Sequence, residues 1–595
     1  MVEKIILPWS GGEGLLNGKG LLKGSSRAYQ AILGEVRVRY FIVSSAAMLL
    51  SGPIVADTIE VPSDHLTIQE AIDASVDGDT IAIAPGIYNE FNVDTAGRAI
   101  HLLGATNGKG MPLVFIDGQD NGTVMRCTSG ESASTVFENL VIANGLVSPA
   151  GAGMLIHNSS PILRNVIFID NTSAVGGAVE MLNSSAQLEQ CKFEQNWGGF
   201  SGGALYIGQS SAPTLTGCVF EGNQSSTDSG GAVYSDDSSP IFHGCIFNDN
   251  SATDHGGGMY VTVSDVVLNQ CVFSNNYGNL YGGGLRSESS DVTISGCQFQ
   301  NNRSQGGRGG GLYIDGGSLA MDSTNFSMNT ALSYGAAMYV GSCAGSIADC
   351  HVANQIGGFA IFTVGGDVPL FERCDIEKNS GGGIWDIGPA QATYEDCRVV
   401  NNLGGGLFTN RSTRLINTVL CGNVGPQIRG YWIDGGGACV DFECNDVNGD
   451  GVPDHCQSPT GDGILQVPGE YSSIQEAIVD AGYGDTVLVG PGTWTVSGDD
   501  TAVISTGSKP ITIRSSHGAA QTILDGEAAF GVVYCVGGET SATIIEGFTI
   551  TNGSSFHGAG MYAESSSPTV RDCKFVENHS VSQGGGLYIM DGSPL

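Results

Sequence analysis

The stretch Gly202–Asn223, which reads GGALYIGQSSAPTLTGCVFEGN, decides the fold because the chain repeats it. The next copy, Gly230–Asn250, reads GGAVYSDDSSPIFHGCIFNDN. Each copy contains paired glycines, a short alternating strand, a Ser-rich turn and a second strand of the form Cys-x-Phe-x-x-Asn. The five cysteines of successive copies are 27, 27, 26 and 26 residues apart. A fixed period of this length is typical of stacked repeats.

The repeat predicts an all-β solenoid in which the chain winds once per copy and stacks parallel strands. No helical pattern separates the strands, and antiparallel hairpins would not return the same residue to the same place. Cys and Phe, two residues apart, are expected to point into the core. The Asn is expected at a turn, in a left-handed backbone, bonded to its copy in the next coil. The structural ladder therefore comprises Cys191, Cys218, Cys245, Cys271, Cys297, Asn196, Asn223, Asn250, Asn276 and Asn302.

These motifs resemble a known superfamily, the right-handed parallel β-helix (pectate-lyase-like) proteins. The Gly-Gly-Ala-Val/Leu and Phe-x-x-Asn elements are also similar to repeats of the polymorphic outer-membrane proteins. The resemblance covers residues 130–425 and 540–595. It implies a right-handed parallel β-helix at a cell surface or outside the cell. It says nothing about activity, since one fold hosts many functions.

Two copies of one module are visible. Ile59–Glu90 and Leu465–Trp494 share an Ile-Gln-Glu-Ala-Ile segment, with Ile68 matching Ile474. Such a segment resembles the helix that caps one end of many β-helices. We expect an N-terminal extension with a signal-like segment at 1–56, a first β-helix module at 57–435, a Cys/Asp-rich linker at 436–462 and a second module at 463–595. The second module ends in mid-coil, which predicts a fragment or an end covered by a partner.

The segment Tyr40–Ala56 predicts export. Arg37 and Arg39 precede this apolar run, as in a secretory signal. The 35 residues before this signal predict an over-extended start, with Val36 or Val38 as the true initiator. An uncleaved membrane anchor is the alternative. No other segment is apolar enough to span a bilayer. We therefore expect a secreted or cell-surface protein, extracellular or attached to an outer membrane.

The charge balance excludes one class of partner. The chain has 60 acidic and 24 basic residues, a formal net charge of −36. Such a polyanion repels phosphate backbones, so nucleic acid is not expected as a partner. Glycans and other cell-surface components remain candidate partners.

The linker contains a candidate calcium loop. Asp446, Asn448, Asp450, Val452 and Asp454 take the spacing of a calcium loop, as in dockerin and thrombospondin type-3 repeats, which this segment resembles. Position 12 is Gln457, so the usual bidentate carboxylate is missing. Ca2+ is thus the one expected cofactor. The alternative is an acidic turn closed by a Cys444–Cys456 disulfide, although Cys421 and Cys439 could supply other partners.

No catalytic residues are predicted, although the superfamily is rich in polysaccharide lyases and hydrolases. The candidates weighed are Asp236 with Asp237, His255, Arg303 with Arg308, and Asp499 with Asp500. None recurs with the partners that a catalytic site requires, and Asp236, Asp237 and His255 fit solvated turns. The even spacing of the coils also argues against the long loops that build a cleft.

The leading hypothesis is a scaffold or adhesion protein without its own catalysis. The alternatives are a carbohydrate-active β-helix enzyme and a non-catalytic glycan binder. Lateral aromatic residues would favour the glycan binder. Four tyrosines recur after the glycines in positions that could equally be buried: Tyr206, Tyr234, Tyr260 and Tyr313.

Overall fold

A computed structural model describes residues 56–440, except 228, 411 and 431, and residues 464–590, except 483, 499, 500, 508 and 537. The described residues form a right-handed parallel β-helix of about 19 turns with two short helices. The predicted fold class is therefore confirmed. The signal-like segment and the calcium loop lie outside the described residues.

One coil consists of four short strands that follow the repeat. In the copy quoted above they are Leu205–Gly208, Thr214–Thr216, Val219–Glu221 and Gln224–Ser225. Each pairs in parallel with its counterpart in the next coil. The coils of residues 57–440 thus build four stacks of strands, numbered 1 to 4 in this order.

Stacks 1 and 2 belong to one sheet because two long strands, Leu285–Ser295 and Leu312–Asp322, run through both. The other strands of stack 1 are Val93–Asp94, Met125–Cys127, Met154–His157, Val179–Leu182, Leu205–Gly208, Val233–Asp236, Met259–Thr262, Met338–Gly341, Ile361–Val364, Ile384–Ile387, Leu407–Thr409 and Ile428–Arg429. Those of stack 2 are Thr58–Val61, Thr80–Ile83, His101–Gly104, Val136–Glu138, Ile162–Arg164, Gln187–Glu189, Thr214–Thr216, Ile241–His243, Asp265–Asn269, Ala344–Ala348, Leu370–Glu372, Thr393–Glu395, Thr413–Ile416 and Trp432–Asp434.

Stacks 3 and 4 are separate sheets on either side of the asparagine turn. Stack 3 comprises Gly86–Tyr88, Val114–Asp117, Leu140–Ala143, Ile167–Ile169, Lys192–Glu194, Val219–Glu221, Ile246–Asn248, Val272–Ser274, Gln298–Gln300, Asn325–Ser327, His351–Ala353, Asp375–Glu377, Arg398–Val400, Val419–Cys421 and Cys439–Val440. Stack 4 comprises Leu146–Ala150, Thr172–Val175, Trp197–Ser201, Gln224–Ser225, Ser251–Ala252, Tyr277–Gly278, Arg303–Ser304, Thr330–Ala331 and Ile356–Gly357.

Residues 464–590 form a second run of coils with four sheets of their own. Their strands are Ile464–Val467, Thr486–Val489, Thr512–Ser515, Ile544–Glu546 and Thr569–Arg571; Gly492–Trp494, Thr522–Asp525, Thr549–Thr551 and Lys574–Val576; Ala502–Ser505, Gly531–Cys535, Met561–Glu564 and Leu587–Met590; and Ser554–His557 with His579–Gln583.

Each run begins with the expected short helix, α1 at Ile68–Ala74 and α2 at Ile474–Asp480. Both helices bury the same apolar positions, namely Ile68, Ala71, Ile72, Ile474, Ala477 and Ile478. Thr67 and Ser473 cap their N-termini by accepting a bond from the third helical N–H. The repeated segments therefore fold as two equivalent helices against two separate cores.

The residues of the predicted ladder lie in the core of the first run of coils. Seven inward phenylalanines of stack 3 are buried and stack with ring centroids 4.4–5.0 Å apart, namely Phe168, Phe193, Phe220, Phe247, Phe273, Phe299 and Phe326. Each ladder asparagine is buried and donates from Nδ2 to the Oδ1 of the next, as Asn196 does to Asn223 at 3.0 Å. The ladder cysteines are buried in one inward column.

Two details of the ladder differ from the prediction. The left-handed backbone belongs to the residue before each asparagine, such as Gln195 or Asp249, and not to the asparagine itself. The asparagine side chain is thereby turned inward, where backbone groups need partners. In the copy that lacks the asparagine, Gln355 takes its place and bonds to Asn329 and Asn379.

The described cysteines separate into two groups. Twelve are free thiols, and all but Cys573 are buried. Cys421 and Cys439 are disulfide-bonded. Since the chain has sixteen cysteines, disulfides are confined to Cys421, Cys439, Cys444 and Cys456. The predicted Cys444–Cys456 bridge lies outside the described residues and stays a prediction.

Among the described residues, no helix has both the length and the apolar character needed to cross a membrane.

Candidate functional site

One side of the solenoid carries a row of aromatic and cationic side chains on stack 1. In each coil, the residue of this row comes directly after the first apolar residue that follows the glycines. Its side chain points away from the core. Strand register aligns its members, Tyr206, Tyr234, Tyr260, Arg286, Tyr313 and Tyr339. We call these six residues the tyrosine–arginine ladder.

The glycine hinge before each strand makes this alignment possible. Gly256 has a φ of +62°, in the left-handed region that favours glycine. A Cβ on the next residue, Gly257, would lie 2.5 Å from the carbonyl oxygen of Gly283 in the following coil. The coils can therefore stack closely at this corner only because its residues are glycines. The strand that carries the ladder residue begins directly after the corner.

The rings of the ladder cover one another. Tyr313 stacks on Tyr339 with centroids 4.4 Å apart, and Tyr206 stacks on Tyr234 at 5.5 Å. Tyr206 and Tyr234 are half-buried, whereas Tyr260 and Tyr313 are buried. Of the four tyrosines considered from the sequence, two are thus buried and two are partly exposed on the side of the solenoid. The partly exposed rings of the ladder are therefore Tyr206 and Tyr234, at one end of it.

A second row lies beside the ladder at the glycine corner. Isolated bridges align His255, Tyr281, Arg308 and Tyr334 in successive coils. His255 stacks on Tyr281 at 5.1 Å, and Tyr281 stacks on Tyr313 of the ladder at 5.1 Å. His255 is therefore half-buried against aromatic rings, which corrects its assignment to a solvated turn.

Two arginines lie between these rings. The Cζ of Arg286 is 5.3–5.5 Å from the ring centroids of Tyr260, Tyr281 and Tyr313. The Cζ of Arg308 is 5.3–5.8 Å from those of Tyr281, Tyr334 and Tyr339. Such contacts hold a guanidinium by the negative faces of the rings.

The two arginines differ in their polar partners. Arg286 is buried and donates from Nη2 to Oε2 of Glu288 at 2.9 Å, while its Nε has no partner. The half-buried Arg308 makes no side-chain hydrogen bond or ion pair with any described residue. Its five N–H donors are therefore open to a ligand or to water.

Two carboxylates border the arginines. Glu288 and Asp315 are register partners on adjacent strands, so their Cα atoms are about 4.8 Å apart. Glu288 also accepts a bond from the hydroxyl of Tyr260 at 2.8 Å. Burial and the neighbouring Glu288 raise the pKa of Asp315 above its ordinary value.

The same packing shifts two further groups. Burial and the charge of Arg286 lower the pKa of His255 to about 4, so its ring is neutral at pH 7. Burial and the bond to Glu288 raise the pKa of Tyr260 to about 12, so its hydroxyl keeps its proton. At neutral pH the cluster thus presents neutral rings around two guanidinium groups.

The structure brings together only some of the residues weighed from the sequence. His255, Arg308, Tyr260 and Tyr313 meet in this cluster. Asp236 ends a stack 1 strand near Tyr206, where burial and Asp237 raise its pKa. Arg303 lies apart, exposed on stack 4.

Several expected residues lie outside the described part of the chain. These are Asp499, Asp500 and the calcium-loop residues Asp446, Asn448, Asp450, Val452 and Asp454. Sequence reasoning missed Arg286, Glu288 and Asp315. Alignment of the repeats could have predicted Arg286, because this residue stands at the position where the neighbouring repeats have tyrosine.

One group of metal-ligating side chains is present among the described residues, on the outer side of stack 3. Atoms of His351, Asp375 and Glu377 lie within 4.8 Å of one another. However, Glu377 bonds to Lys378 at 2.9 Å, and Asp375 pairs with Arg398 at 3.2 Å. These cations already neutralise the carboxylates, so the group is explained as an ion-pair network.

The fold and the repeat define this chain as a right-handed parallel β-helix protein. The family model described as "Right handed beta helix region" matches residues 176–318 and 284–447. No curated protein matches the chain. The similarity to the polymorphic outer-membrane proteins stays a prediction.

Solved structures to which this chain is similar include the following three. The catalytic domain of GH87 alpha-1,3-glucanase in complex with nigerose is 12% identical, with 65% of this chain and 70% of that chain covered and a TM-score of 0.28. The A-module of Azotobacter vinelandii mannuronan C-5 epimerase AlgE6 is 12% identical, with coverage of 63% and 94% and a TM-score of 0.25. The Siphovirus 9NA tailspike receptor binding domain is 9% identical, with coverage of 65% and 75% and a TM-score of 0.22. These similarities concern the fold alone.

Proposed function

We propose that this protein is a secreted or cell-surface β-helix that binds glycans on its side without cleaving them. One observation carries the proposal. The guanidinium of Arg308 is held among three tyrosine rings and has no acidic partner among the described residues. An arginine so placed is suited to a planar acceptor such as a sugar carboxylate. The ligand class that fits is a glycan bearing carboxylate groups.

The surroundings of Arg308 support binding more than chemistry. The ring stacking and cation–π contacts hold the guanidinium rigidly, which lowers the entropy lost on binding. Tyrosine hydroxyls at the rim supply further donors and acceptors for sugar hydroxyls. Glu288 is already bonded to Arg286 and Tyr260, so it is poorly placed to take up a proton.

The test is binding of oligogalacturonates and alginate oligosaccharides by calorimetry, with and without Ca2+. Arg308→Gln should weaken binding at least tenfold, about 1.4 kcal/mol. Arg303→Gln is the matched control, because that arginine is exposed on another stack, and it should bind like the parent. Equal affinity of the parent and Arg308→Gln, or no binding by the parent, would contradict the proposal.

A second candidate function is a carbohydrate-active enzyme, favoured by the adjacent Glu288 and Asp315. A pair of neighbouring carboxyl groups is the usual acid and base of glycoside hydrolysis. The assay is release of reducing ends or unsaturated products from the same glycans. Product formation that Asp315→Asn abolishes would replace the non-catalytic proposal with the enzymatic one.

Calcium binding at the linker belongs to the proposal as well. Asp446, Asn448, Asp450 and Asp454 offer the oxygen ligands that Ca2+ prefers, with the carbonyl of Val452. Calcium should raise the melting temperature of the parent protein and not that of Asp450→Ala. An equal rise in both proteins would exclude this site.

A further inference from the structure

Stack 4 carries a second surface, which lies just before the glycine corner and the tyrosine–arginine ladder in each coil. Its outward column reads Thr172, Trp197, Gln224, Ser251 and Tyr277 in successive coils. The inward positions alternate with it and are small, namely Ser173, Gly198, Ser225, Ala252 and Gly278. The outward side chains therefore stand on a flat, closely packed base.

Trp197 is the wall between two hollows on this surface. The first, of about 460 Å³, is polar and is lined by Gln195, Trp197, Gln224, Asp249, Asn275 and Tyr277 among others. The second, of about 530 Å³, is mostly apolar and includes Leu146, Thr172, Trp197 and Phe200. The side chain of Trp197 is 40% exposed and that of Phe200 is 57% exposed. Each hollow falls within the volume range of small-ligand sites.

The polar hollow exists because one side chain is missing from a regular column. Gln195, Asp249 and Asn275 occupy the left-handed turn position of their coils, and the intervening coil has Gly222 there. A Cβ on Gly222 would meet only the Cγ of Gln195, at 3.7 Å. The space is therefore open, and a longer side chain would fill it.

The side chains that line the two hollows indicate which class of ligand fits them. Neither hollow is lined by a lysine, arginine or histidine, and the polar hollow has one carboxylate, Asp249. The side chains of Gln195, Gln224 and Asp249 make no hydrogen bond with a described residue and are exposed. Carboxamides donate and accept equally, as hydroxyl groups do, and an indole face offers a flat apolar surface. Within the two hollows an anionic chain would meet one carboxylate and no cation, since Arg303 follows Tyr277 in the outward column only one coil further on.

We infer that this surface is a second saccharide site, specific for a neutral glycan chain that lies along the stacked coils. A pyranose ring packs its C–H face on Trp197, and its hydroxyls bond to Gln195, Gln224 and Asp249. Tyr277 closes the site three coils away, about 14 Å from Trp197 at roughly 4.8 Å per coil. The site is independent of Arg308 and of the acidic glycans proposed for the ladder.

The experiment uses the full chain and a panel of linear neutral hexasaccharides of glucose, mannose and xylose. Binding is measured by calorimetry and by tryptophan fluorescence, since a sugar over an exposed indole shifts its emission. At least one neutral hexasaccharide should bind, and Trp197→Ala should weaken it at least tenfold. Gly222→Asn should do the same by filling the hollow, at the left-handed turn position where the coil two turns further on carries Asn275.

Two controls separate this site from folding and from the ladder. Gly244→Asn places the same residue at another left-handed turn with open space around it, and should bind like the parent. Arg308→Gln should leave neutral binding unchanged, while Trp197→Ala leaves acidic binding unchanged. Absence of neutral binding by the parent, or unchanged affinity in both Trp197→Ala and Gly222→Asn, overturns the inference.

Discussion

At the scale of single residues, each ladder asparagine satisfies four backbone or side-chain groups. Asn250 donates from Nδ2 to the carbonyl of Phe220 and to Asn276, both at 3.0 Å. Its Oδ1 accepts from the backbone N–H and the side chain of Asn223, at 3.0 and 2.9 Å. Because Asn250 is fully buried, removing it strands these groups away from water.

Asn250→Ala should therefore lower the free energy of unfolding by about 2–4 kcal/mol, as expected for buried groups left without partners. Denaturant titration followed by circular dichroism measures the change. Asn325→Ala is the control, because that asparagine is exposed on a strand of stack 3 and makes no side-chain hydrogen bond with a described residue, and it should cost less than about 0.5 kcal/mol. Similar losses in both variants would show that the ladder bonds do not stabilise the fold.

At the scale of elements, a buried glutamate ties successive coils together near each cap. Glu131 accepts bonds from Thr95 at 2.7 Å and from Ser159 at 2.7 Å, and from the backbone N–H groups of Gly97 and Ser129 at 2.8 Å. In the second run, Glu539 accepts bonds from Thr506 and Ser566 in the same way. The two modules thus share an internal clamp as well as a cap.

The clamp makes stability depend on pH. Burial alone would raise the pKa of Glu131, but its hydrogen bonds outweigh burial and lower the pKa to about 2, from 4.5. Because the pKa of Glu131 is lower in the folded protein than in the unfolded chain, the ionised carboxylate stabilises the fold at pH values above the unfolded pKa of 4.5. This contribution to stability is lost as the pH falls from about 4.5 to about 2. Glu131→Gln should cost on the order of 3 kcal/mol at pH 7 and much less near pH 2.

Melting curves of Glu131→Gln and the parent across this pH range measure the difference. Glu577→Gln is the control, since that side chain is exposed and bonds to no described residue. A difference that stays constant between pH 7 and pH 2 would contradict the role of the ionised carboxylate.

At the scale of the whole molecule, free thiols and disulfide-bonded cysteines lie in different parts of the described chain. The hydrogen bond to the preceding cysteine of the column, together with burial, raises the pKa of Cys245 and of Cys271 to about 12. A thiol that is both buried and protonated reacts slowly. The disulfide-bonded cysteines lie at the end of the first run.

We expect the buried thiols of the native protein to resist alkylation and to react fully after denaturation. Peptide mapping by mass spectrometry should place every disulfide among Cys421, Cys439, Cys444 and Cys456. Any disulfide within the ladder column, such as Cys245–Cys271, would contradict this assignment.

The fold was predictable because its signal is periodic. Cys191, Phe193 and Asn196 recur in register, and the caps recur around Ile68 and Ile474. Gln355 stands at the asparagine position of its copy, 26 residues after Asn329, but it was not predictable because the repeated motif specifies an asparagine there. The left-handed position was misplaced by one residue, since either Asn or the residue before it could make the turn.

The sequence by itself determined the coil, its core and its duplication, because these follow from spacing along one chain. Only the tertiary structure decided which side chains meet between coils. His255, Arg286 and Arg308 come together because residues some 26 positions apart stack about 4.8 Å from one another. The hollow beside Trp197 exists because Gly222 has no side chain. It is enclosed by residues of the neighbouring coils, which only the tertiary structure brings together.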